Sequence, residues 1–253
     1  MRVFLTGASS GIGEALARHY ATQGATLGLV ARRGHRLIEL TAELRGSHAC
    51  YPLDVADAAA LQAAASDFIA RHGCPDIVIA NAGISAGTLA EEADDLPALR
   101  RIFETNVIGM AQTFQPFVAA MKARGSGRLA GIASVAGIRG LPGAGAYSAS
   151  KAATIALLEA LRVELHGSGV KVVTIAPGYI ATPMTAVNRY PMPFLMPADA
   201  AARRFARAIE RGTSYTVIPW QMGIVAKLLR LLPDALFDAL FARAGRKPRV
   251  LDL

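Results

Sequence analysis

The chain has 253 residues, of which 53% are apolar and 18% charged, and its formal net charge is +8. This length and composition provide enough apolar surface for one large folded domain, which excludes an intrinsically disordered chain. The arginines are spread along the sequence without a block of about five basic residues, so we expect no nucleic-acid partner despite the positive charge.

Short apolar runs alternate with amphipathic stretches of helical length. The apolar runs predict seven strands, at residues 2–5, 26–30, 49–53, 77–80, 129–133, 170–176 and 215–218. The helical patterns lie near residues 12–23, 35–45, 57–71, 95–122, 147–166 and 198–211. Most strand runs lack polar alternation, which is typical of a parallel sheet covered by helices on both faces. The sequence therefore predicts a doubly wound α/β fold in a single domain over residues 1–219, with ligands at the carboxyl ends of the strands.

Signals for export, membrane insertion and metal binding are missing from the pattern. No charged and apolar leader precedes the first strand, and no run of about eighteen uncharged apolar residues predicts a membrane span. Two cysteines, Cys50 and Cys74, and five scattered histidines predict neither a disulfide framework nor a metal site. We therefore expect a cytoplasmic protein with no bound metal. Residues 177–197 contain five prolines and predict a mobile loop with one short helix.

A glycine-rich segment joins the first predicted strand to the first helix. Gly7 permits a tight turn, Gly11 lets the backbone approach a pyrophosphate, and Gly13 lets helix and strand pack closely. The helix N-terminus then presents free N–H groups to an anion. The segment predicts a dinucleotide site. It supplies three further candidate contacts, Ser9, Ser10 and Ile12.

The end of the second predicted strand bears on the choice between NAD and NADP. An NAD site favours a carboxylate there, for the ribose hydroxyls, whereas this chain has Arg32 and Arg33. Because arginine can hold a phosphate bidentately, the pair predicts NADP(H), with Arg32 as the expected contact and Ser9 as a helper. The alternative interpretation is that both arginines are solvated loop residues.

Polar and small residues follow the next two strands. Asp54 and Val55 end the third predicted strand, and Asn81, Ala82 and Gly83 end the fourth. Both groups should lie at the sheet edge where the adenine and ribose of a dinucleotide would rest. Taken alone, each group is ordinary turn chemistry.

Tyr147 and Lys151 are four residues apart on a predicted helix and therefore share one helix face. A neighbouring ammonium favours the phenolate, which makes tyrosine a usable proton donor or acceptor. Taken alone, the pair is also compatible with a solvated helix face. Ser134, at the end of the fifth predicted strand, precedes the tyrosine by thirteen residues.

Together these motifs resemble the short-chain dehydrogenase/reductase family, in its compact one-domain branch, over residues 3 to 219. The matching segments are 6–13, Asp54-Val55, Asn81-Ala82-Gly83, Asn106-Val107, Ser134, Tyr147-Ser148-Ala149-Ser150-Lys151 and Pro177-Gly178. The resemblance implies a Rossmann-type seven-stranded sheet and a nicotinamide cofactor.

The resemblance also implies a role for each group. Tyr147 would be the general acid in reduction and the general base in oxidation, and Lys151 would lower its pKa and bind the nicotinamide ribose. Ser134 would donate to the substrate carbonyl oxygen, and Asn106 would hold a water that links Lys151 to solvent. Three further residues would lie against the nicotinamide: Pro177, Gly178 and Thr182.

The expected function is NADP(H)-dependent interconversion of a carbonyl and an alcohol. The apolar residues of the 181–196 segment predict a small hydrophobic substrate. One alternative is a sugar-nucleotide epimerase or dehydratase, although such chains have a different glycine spacing and a larger C-terminal domain. Another is a non-catalytic NADP-sensing protein, which the intact catalytic positions disfavour. We also expect a homodimer or homotetramer that pairs through the helices at 95–122 and 147–166.

The extension at residues 220–253 departs from the simplest family plan. Its apolar residues recur at helical spacing and predict two amphipathic helices, broken near Pro233. The extension could form a lid over the substrate pocket, a subunit contact or, because it is basic, a contact with a membrane surface.

Overall fold

The computed structural model describes residues 1–249 and has nine strands. They are β1 (Arg2–Thr6), β2 (Thr26–Ala31), β3 (His48–Pro52), β4 (Ile77–Ala80), β5 (Gly127–Ile132), β6 (Val170–Pro177), β7 (Ile180–Ala181), β8 (Met196–Pro197) and β9 (Tyr215–Ile218). Seven of them form one parallel sheet in the order β3-β2-β1-β4-β5-β6-β9, and β7 pairs with β8 separately. The strand order reverses between β1 and β4, and the seven predicted strands are confirmed.

Ten α-helices occur in the described chain. They are α1 (Gly11–Thr22), α2 (Gly34–Glu43), α3 (Ala58–His72), α4 (Leu96–Phe103), α5 (Gly109–Arg124), α6 (Gly145–Glu164), α7 (Pro183–Ala186), α8 (Ala198–Arg211), α9 (Trp220–Leu231) and α10 (Asp234–Phe241). Helices α1, α2 and α8 pack on one face of the sheet, and α3, α5 and α6 pack on the other. The predicted doubly wound, Rossmann-type α/β fold is therefore confirmed.

Successive residues of β1 show why the strands are apolar throughout. Val3 and Leu5 contribute to the core under α1, α2 and α8, whereas Phe4 contributes to the opposite core. The Phe4 ring lies 5.6 Å from the Phe68 ring and 4.9 Å from the Phe117 ring, centroid to centroid. Each fully buried side chain of this size contributes about 1.5–3 kcal/mol. Both faces of the sheet are consequently stabilised by apolar packing.

The helix predicted over residues 95–122 is interrupted. Helix α4 passes into a π-helical turn at Glu104–Ile108, and α5 begins directly after it. A π turn accommodates one extra residue without breaking the helix, so apolar periodicity alone does not reveal it. The π turn contains Asn106, whose buried side chain bonds to neighbouring segments.

The extension forms the two predicted helices, with the chain breaking between α9 and α10 at Leu232 and Pro233. Met222, Ala226 and Phe237 are buried, so these helices pack against the domain. Residues 250–253 of the predicted extension lie outside the described part of the chain. Within residues 1–249, no helix has both the length and the apolar character needed to cross a bilayer.

Arg139 attaches the extension to the domain. Its guanidinium donates to the main-chain oxygens of Leu229 and, at 2.7 Å, of Leu232, at the C-terminal end of α9. It also pairs with Asp234 at 2.8 Å and lies 3.9 Å from the Phe237 ring centroid. A cation at a helix C-terminus satisfies carbonyls that have no partner within the helix and complements the helix dipole.

We predict that Arg139→Met destabilises the protein more than Asp234→Asn. The first change leaves half-buried carbonyls at the end of α9 without a donor, and a buried group that loses its partner costs about 1–3 kcal/mol. The second removes only the exposed partner of an ion pair, worth less than about 1 kcal/mol. Urea unfolding of the two variants measures the difference, and equal losses of unfolding free energy would contradict the anchoring role of Arg139.

Candidate functional site

A cavity of about 260 Å³ opens at the carboxyl ends of β1, β2, β4, β5 and β6. It is lined by every predicted site residue except Gly13 and Asn106. The predicted residues in the lining are Gly7, Ser9, Ser10, Gly11, Ile12, Arg32, Arg33, Asp54, Val55, Asn81, Ala82, Gly83, Ser134, Tyr147, Lys151, Pro177, Gly178 and Thr182. Parallel strands end at the same sheet edge, which is why segments distant in sequence meet here.

The glycine-rich turn is held against the end of β4. The Asn81 side-chain amide donates to the carbonyl oxygens of Thr6 at 3.1 Å and Gly7 at 3.2 Å. A Cβ on Gly13 would collide with the Gly7 carbonyl oxygen, so glycine is required where α1 crosses β1. Gly13 therefore shapes the turn from behind and does not line the cavity. The N-terminus of α1, at Gly11, faces the cavity with free N–H groups.

Arg33 lies over the glycine-rich turn. Its guanidinium donates to the hydroxyl oxygens of Ser9 at 3.0 Å and Ser10 at 2.7 Å. Arg32, next to it, lines the same cavity on the side of Asp54. Two cations thus border the cavity at the end of β2, and the two serines orient one of them.

Asp54 is engaged by Arg101 of α4 and by the Ala56 N–H at 2.9 Å. Burial favours the protonated acid, but these two donors outweigh it and hold the pKa of the Asp54 carboxyl below its usual range. Asp54 is therefore a carboxylate at neutral pH. Its interaction with Arg101 ties the end of β3 to α4 beside the cavity.

Lys151 and Tyr147 project from the first two turns of α6 toward the cavity. Lys151 is 4% exposed, and its Nζ donates to the Ile132 carbonyl oxygen at 2.7 Å. The Nζ lies 5.8 Å from the centroid of the Tyr147 ring. Burial lowers the pKa of Lys151 to about 8, so its ammonium is largely charged at neutral pH.

Ser134 follows β5 and caps a 3₁₀ turn at Val135–Gly137. Its Oγ accepts from the Ala136 N–H at 3.1 Å, which leaves the hydroxyl proton free to donate. Burial raises the pKa of the Tyr147 phenol, and its hydrogen bond with Ser134 opposes that effect. The phenol is therefore protonated at neutral pH and can give a proton to a ligand.

Asn106 is fully buried behind these groups. Its side-chain amide donates to the Ile84 carbonyl oxygen and to Ser150 Oγ, both at 3.0 Å, and its Oδ1 accepts from the Ile84 N–H at 2.8 Å. These bonds join the segment after β4 to α6 one residue before Lys151. Gly83 separates Asn106 from the Lys151 ammonium: a Cβ on Gly83 would lie 3.3 Å from Asn106 Oδ1 and 3.6 Å from Lys151 Nζ.

The segment at residues 177–197 closes one side of the cavity. It contains β7, α7 and β8 as well as loops, and is more regular than predicted. Thr182 caps α7 together with Thr185 and reaches the glycine-rich turn, where its Cγ2 lies 3.0 Å from the position of a Cβ on Gly11. The structure thus brings Thr182 to the N-terminus of α1.

Several lining residues were not identified from the sequence. Apolar side chains such as Leu53 and Ile84 carry no chemical signature, and Thr105 is hidden in the interrupted helix. Lys247 lies beside the cavity, next to the lining residue Met184, and was missed because it belongs to the basic end of the extension. Its Nζ is 6.0 Å from the centroid of the Tyr147 ring. The contact depends on how the last described residues fold back, which residue spacing does not indicate.

Comparison with known proteins identifies the family. A family model described as short chain dehydrogenase matches residues 1–192. The chain is 39% identical over 240 residues to an uncharacterized oxidoreductase from Myxococcus xanthus (strain DK1622), covering 93% of this chain and 94% of that protein. The chain therefore belongs to the short-chain dehydrogenase/reductase family of oxidoreductases, which confirms the resemblance found in its motifs.

Two further similar proteins are described with different nicotinamide cofactors. A 2-dehydro-3-deoxy-L-rhamnonate dehydrogenase (NAD(+)) from Sphingomonas sp. (strain SKA58) is 36% identical over 180 residues, covering 71% of this chain and 72% of that protein. The structure of an alcohol dehydrogenase from the archaeon Thermococcus sibiricus, complexed with 5-hydroxy-NADP, is 26% identical. Its TM-score is 0.74, covering 86% of this chain and 95% of that chain. Family membership thus implies a nicotinamide cofactor without selecting NAD or NADP.

The residues of this chain fit a nicotinamide dinucleotide. The close approach of Gly13 to Gly7 holds the turn so that the N-terminus of α1 lies at the cavity. The free N–H groups and the dipole of the helix would favour a pyrophosphate there. Arg32 and Arg33 border the end that would receive the adenosine. At the other end, Tyr147, Lys151 and Ser134 surround the position for the reacting part of the cofactor and substrate.

Proposed function

We propose that this protein is an NADP(H)-dependent oxidoreductase that interconverts a carbonyl and an alcohol by hydride transfer. The observation that carries the proposal is the Tyr147 phenol, which burial keeps protonated beside the Ser134 hydroxyl and the Lys151 ammonium. This arrangement has a proton to donate, a second donor for an oxygen and a positive charge, all at the mouth of the predicted cofactor site.

Each side chain performs one step of the proposed reaction. In reduction, Tyr147 gives its proton to the carbonyl oxygen of the substrate, and in oxidation it takes the proton back. Ser134 donates to the same oxygen, which gains negative charge during the reaction, so the bond strengthens toward the transition state. Lys151 stabilises the phenolate that remains after proton transfer. The bound nicotinamide cofactor supplies or accepts the hydride.

Asn106 supports this set from behind. Its bonds to Ile84 and Ser150 hold the segment after β4 at a constant distance from α6. The Oδ1 atom has a second lone pair, and Lys151 has donors beyond the one used by Ile132. We therefore retain the role implied by the family resemblance, in which Asn106 holds a water on the path from Lys151 to solvent.

Each group of cavity residues would hold a different part of the proposed cofactor. The turn from Gly7 to Ile12 and the N-terminus of α1 would hold the pyrophosphate, and Arg32 and Arg33 would hold the 2′-phosphate. Asp54 and Val55 would lie beside the adenine, and Asn81, Ala82 and Gly83 beside the ribose. Pro177, Gly178 and Thr182 would lie against the nicotinamide, with Lys151 on its ribose.

A substrate with an apolar body suits the mouth of the cavity. Met184, Val187, Phe194 and Leu195 lie on the segment that closes the cavity, and their side chains are exposed. Exposed apolar side chains around a pocket are typical of a surface that a ligand covers. A sugar-nucleotide substrate fits less well, because the two short helices after β9 pack against the domain and do not form a substrate domain of their own.

We propose that the protein assembles as a homodimer or homotetramer, as members of this family commonly do. Helices α5 and α6 leave an apolar groove between them, lined in part by Phe114, Val118 and Leu161. We expect light scattering to give a multiple of the 26.5 kDa chain mass, and a stable monomer would contradict the proposal. The alternative role of the extension, a contact with a membrane surface, would use the outer face of α9, where Trp220 and Leu228 are exposed. Sedimentation of the protein with anionic vesicles, weakened by added salt, would support that role.

The proposed cofactor preference predicts that NADPH binds more tightly than NADH. A charge-assisted bond to the 2′-phosphate is worth about 1.5–3 kcal/mol, or about ten- to a hundredfold in affinity. We expect Arg32→Ala and Arg33→Ala to weaken NADPH binding by up to this factor and to leave NADH binding unchanged. Fluorescence titration measures the dissociation constants of both cofactors for the native protein and for each variant. Arg36→Ala serves as control, because this exposed arginine pairs with Glu39 on α2. Equal native affinities for the two cofactors would rule out the assignment.

The proposed mechanism predicts that Tyr147→Phe loses turnover and keeps cofactor binding. The ring remains while the proton donor is removed, and general acid catalysis contributes about 10²–10⁴-fold. Turnover is followed by NADPH absorbance with a panel of ketones and aldehydes, and cofactor affinity by titration. Tyr20→Phe is the matched control, since Tyr20 is buried far from the site and its hydroxyl has no partner in the described chain. Near-native turnover in Tyr147→Phe would disprove the mechanism.

A further inference from the structure

The last described residues, 242–249, fold back over the catalytic side of the cavity, and we call them the C-terminal strap. Two contacts fix its end. The Pro248 carbonyl oxygen accepts from the Gly87 N–H at 2.8 Å, and Arg249 pairs with Asp95 and Glu92, each at 3.1 Å. Asp95 is buried and also accepts from a main-chain N–H. The strap is therefore bound to the segment that follows β4.

The middle of the strap covers two other loops around the cavity. The Arg246 side chain lies against Gly143 in the loop before α6, where a Cβ would be only 2.9 Å from it. Gly245 lies against Tyr190 in the segment between α7 and β8, where a Cβ added to Gly245 would be 2.9 Å from the Tyr190 Cβ. These contacts place the strap across the loops that enclose Tyr147.

Lys247 is the strap residue that faces the catalytic tyrosine. Its Nζ donates to the Met184 carbonyl oxygen at 3.3 Å and lies 6.0 Å from the centroid of the Tyr147 ring. Its side chain is half-buried, and no carboxylate within residues 1–249 forms an ion pair with it. Burial lowers the pKa of the Lys247 ammonium to about 8, so most of it is charged at neutral pH.

A partly buried ammonium that has no anionic partner among residues 1–249 is an unusual feature to place beside a catalytic group. Burying a charge is costly unless an opposite charge or hydrogen-bond acceptors compensate for the lost water. The Met184 carbonyl oxygen accepts only one of the three protons of the Lys247 ammonium. Arg249, two residues further along the strap, has two acidic partners and can anchor the strap without Lys247. The ammonium lies beside Met184 and Tyr147, which line the cavity, and is thus within reach of a group bound there.

We propose that Lys247 is a specificity residue that pairs with an anionic head group of the substrate, a carboxylate or a phosphate. This inference rests on the proposed function, since it places the anion a short distance from the carbonyl that Tyr147 protonates. Together with the apolar residues at the cavity mouth, it defines the substrate class as an oxo or hydroxy compound with an apolar body and an acidic group.

Binding of three six-carbon probes tests the proposal without requiring turnover. Hexanoate, hexyl phosphate and hexanol share an apolar chain and differ in the head group, and each is titrated calorimetrically into the protein saturated with NADP⁺, which occupies Arg32 and Arg33. We expect hexanoate or hexyl phosphate to bind about ten- to a hundredfold more tightly than hexanol, the range for a charge-assisted bond. The tighter of the two identifies the head group.

Substitutions then assign the preference to Lys247. Lys247→Met keeps the apolar stem, so it should abolish the preference for the anion while hexanol binds as before, and Lys247→Arg should retain part of it. Lys227→Met, on the exposed face of α9, is the matched control. Equal affinity of native protein for all three probes, or an equal loss of all three in Lys247→Met, would overturn the proposal.

Turnover separates this inference from the proposed function. Reduction of 5-oxohexanoate is compared with that of its methyl ester, and Lys247→Met should raise the KM for the acid alone. Native protein that binds hexanoate through Lys247 but reduces no carbonyl compound would contradict the oxidoreductase mechanism and leave the anion site standing. Reduction of acid and ester with the same kcat/KM in native protein would contradict the anion site and leave the mechanism standing.

Discussion

Burial of the parallel sheet on both faces is the constraint on which the rest of the structure depends. Val3 and Leu5 enter one core and Phe4 the other, and the same alternation continues through the central strands. A sheet that is covered on both faces offers its polar ends and not its surfaces to a ligand. The seven strands all end at one edge because they are parallel, and the glycine-rich turn, the two arginines and the proposed catalytic side chains meet there for that reason.

The polar groups near this edge are buried, and their partners keep them in place. Asn106 satisfies both main-chain groups of Ile84, and Lys151 donates to Ile132 at the end of β5. Each such hydrogen bond adds little net stability, but its loss leaves a buried polar group without a partner, which costs about 1–3 kcal/mol. The same desolvation keeps the Tyr147 phenol protonated and brings the pKa of Lys151 to about 8. Burial is thus the reason both that these polar groups need hydrogen-bond partners and that the pKa values of Tyr147 and Lys151 are shifted.

The extension adds to this scaffold in two different ways. Helices α9 and α10 attach through Arg139, which binds the carbonyl end of α9, and through the buried side chains of Met222 and Phe237. The strap attaches through Arg249 and Pro248 to the segment after β4, and brings Lys247 to the face of Tyr147. The extension lies beyond residues 1–192, the part of the chain that the family model matches.

The sequence by itself determined the strand order along the chain, the α/β class and the segments of the cofactor site. Apolar runs without alternation, glycines at a strand–helix turn and the four-residue spacing of Tyr147 and Lys151 are local signals, and each survives in the fold. Only the tertiary structure decided the π turn around Asn106, the serine partners of Arg33 and the position of Lys247. These features depend on contacts between segments far apart in the chain. Lys247 is 100 positions after Tyr147 in the sequence, and nothing in the spacing of residues specifies where the C-terminal strap will fold back.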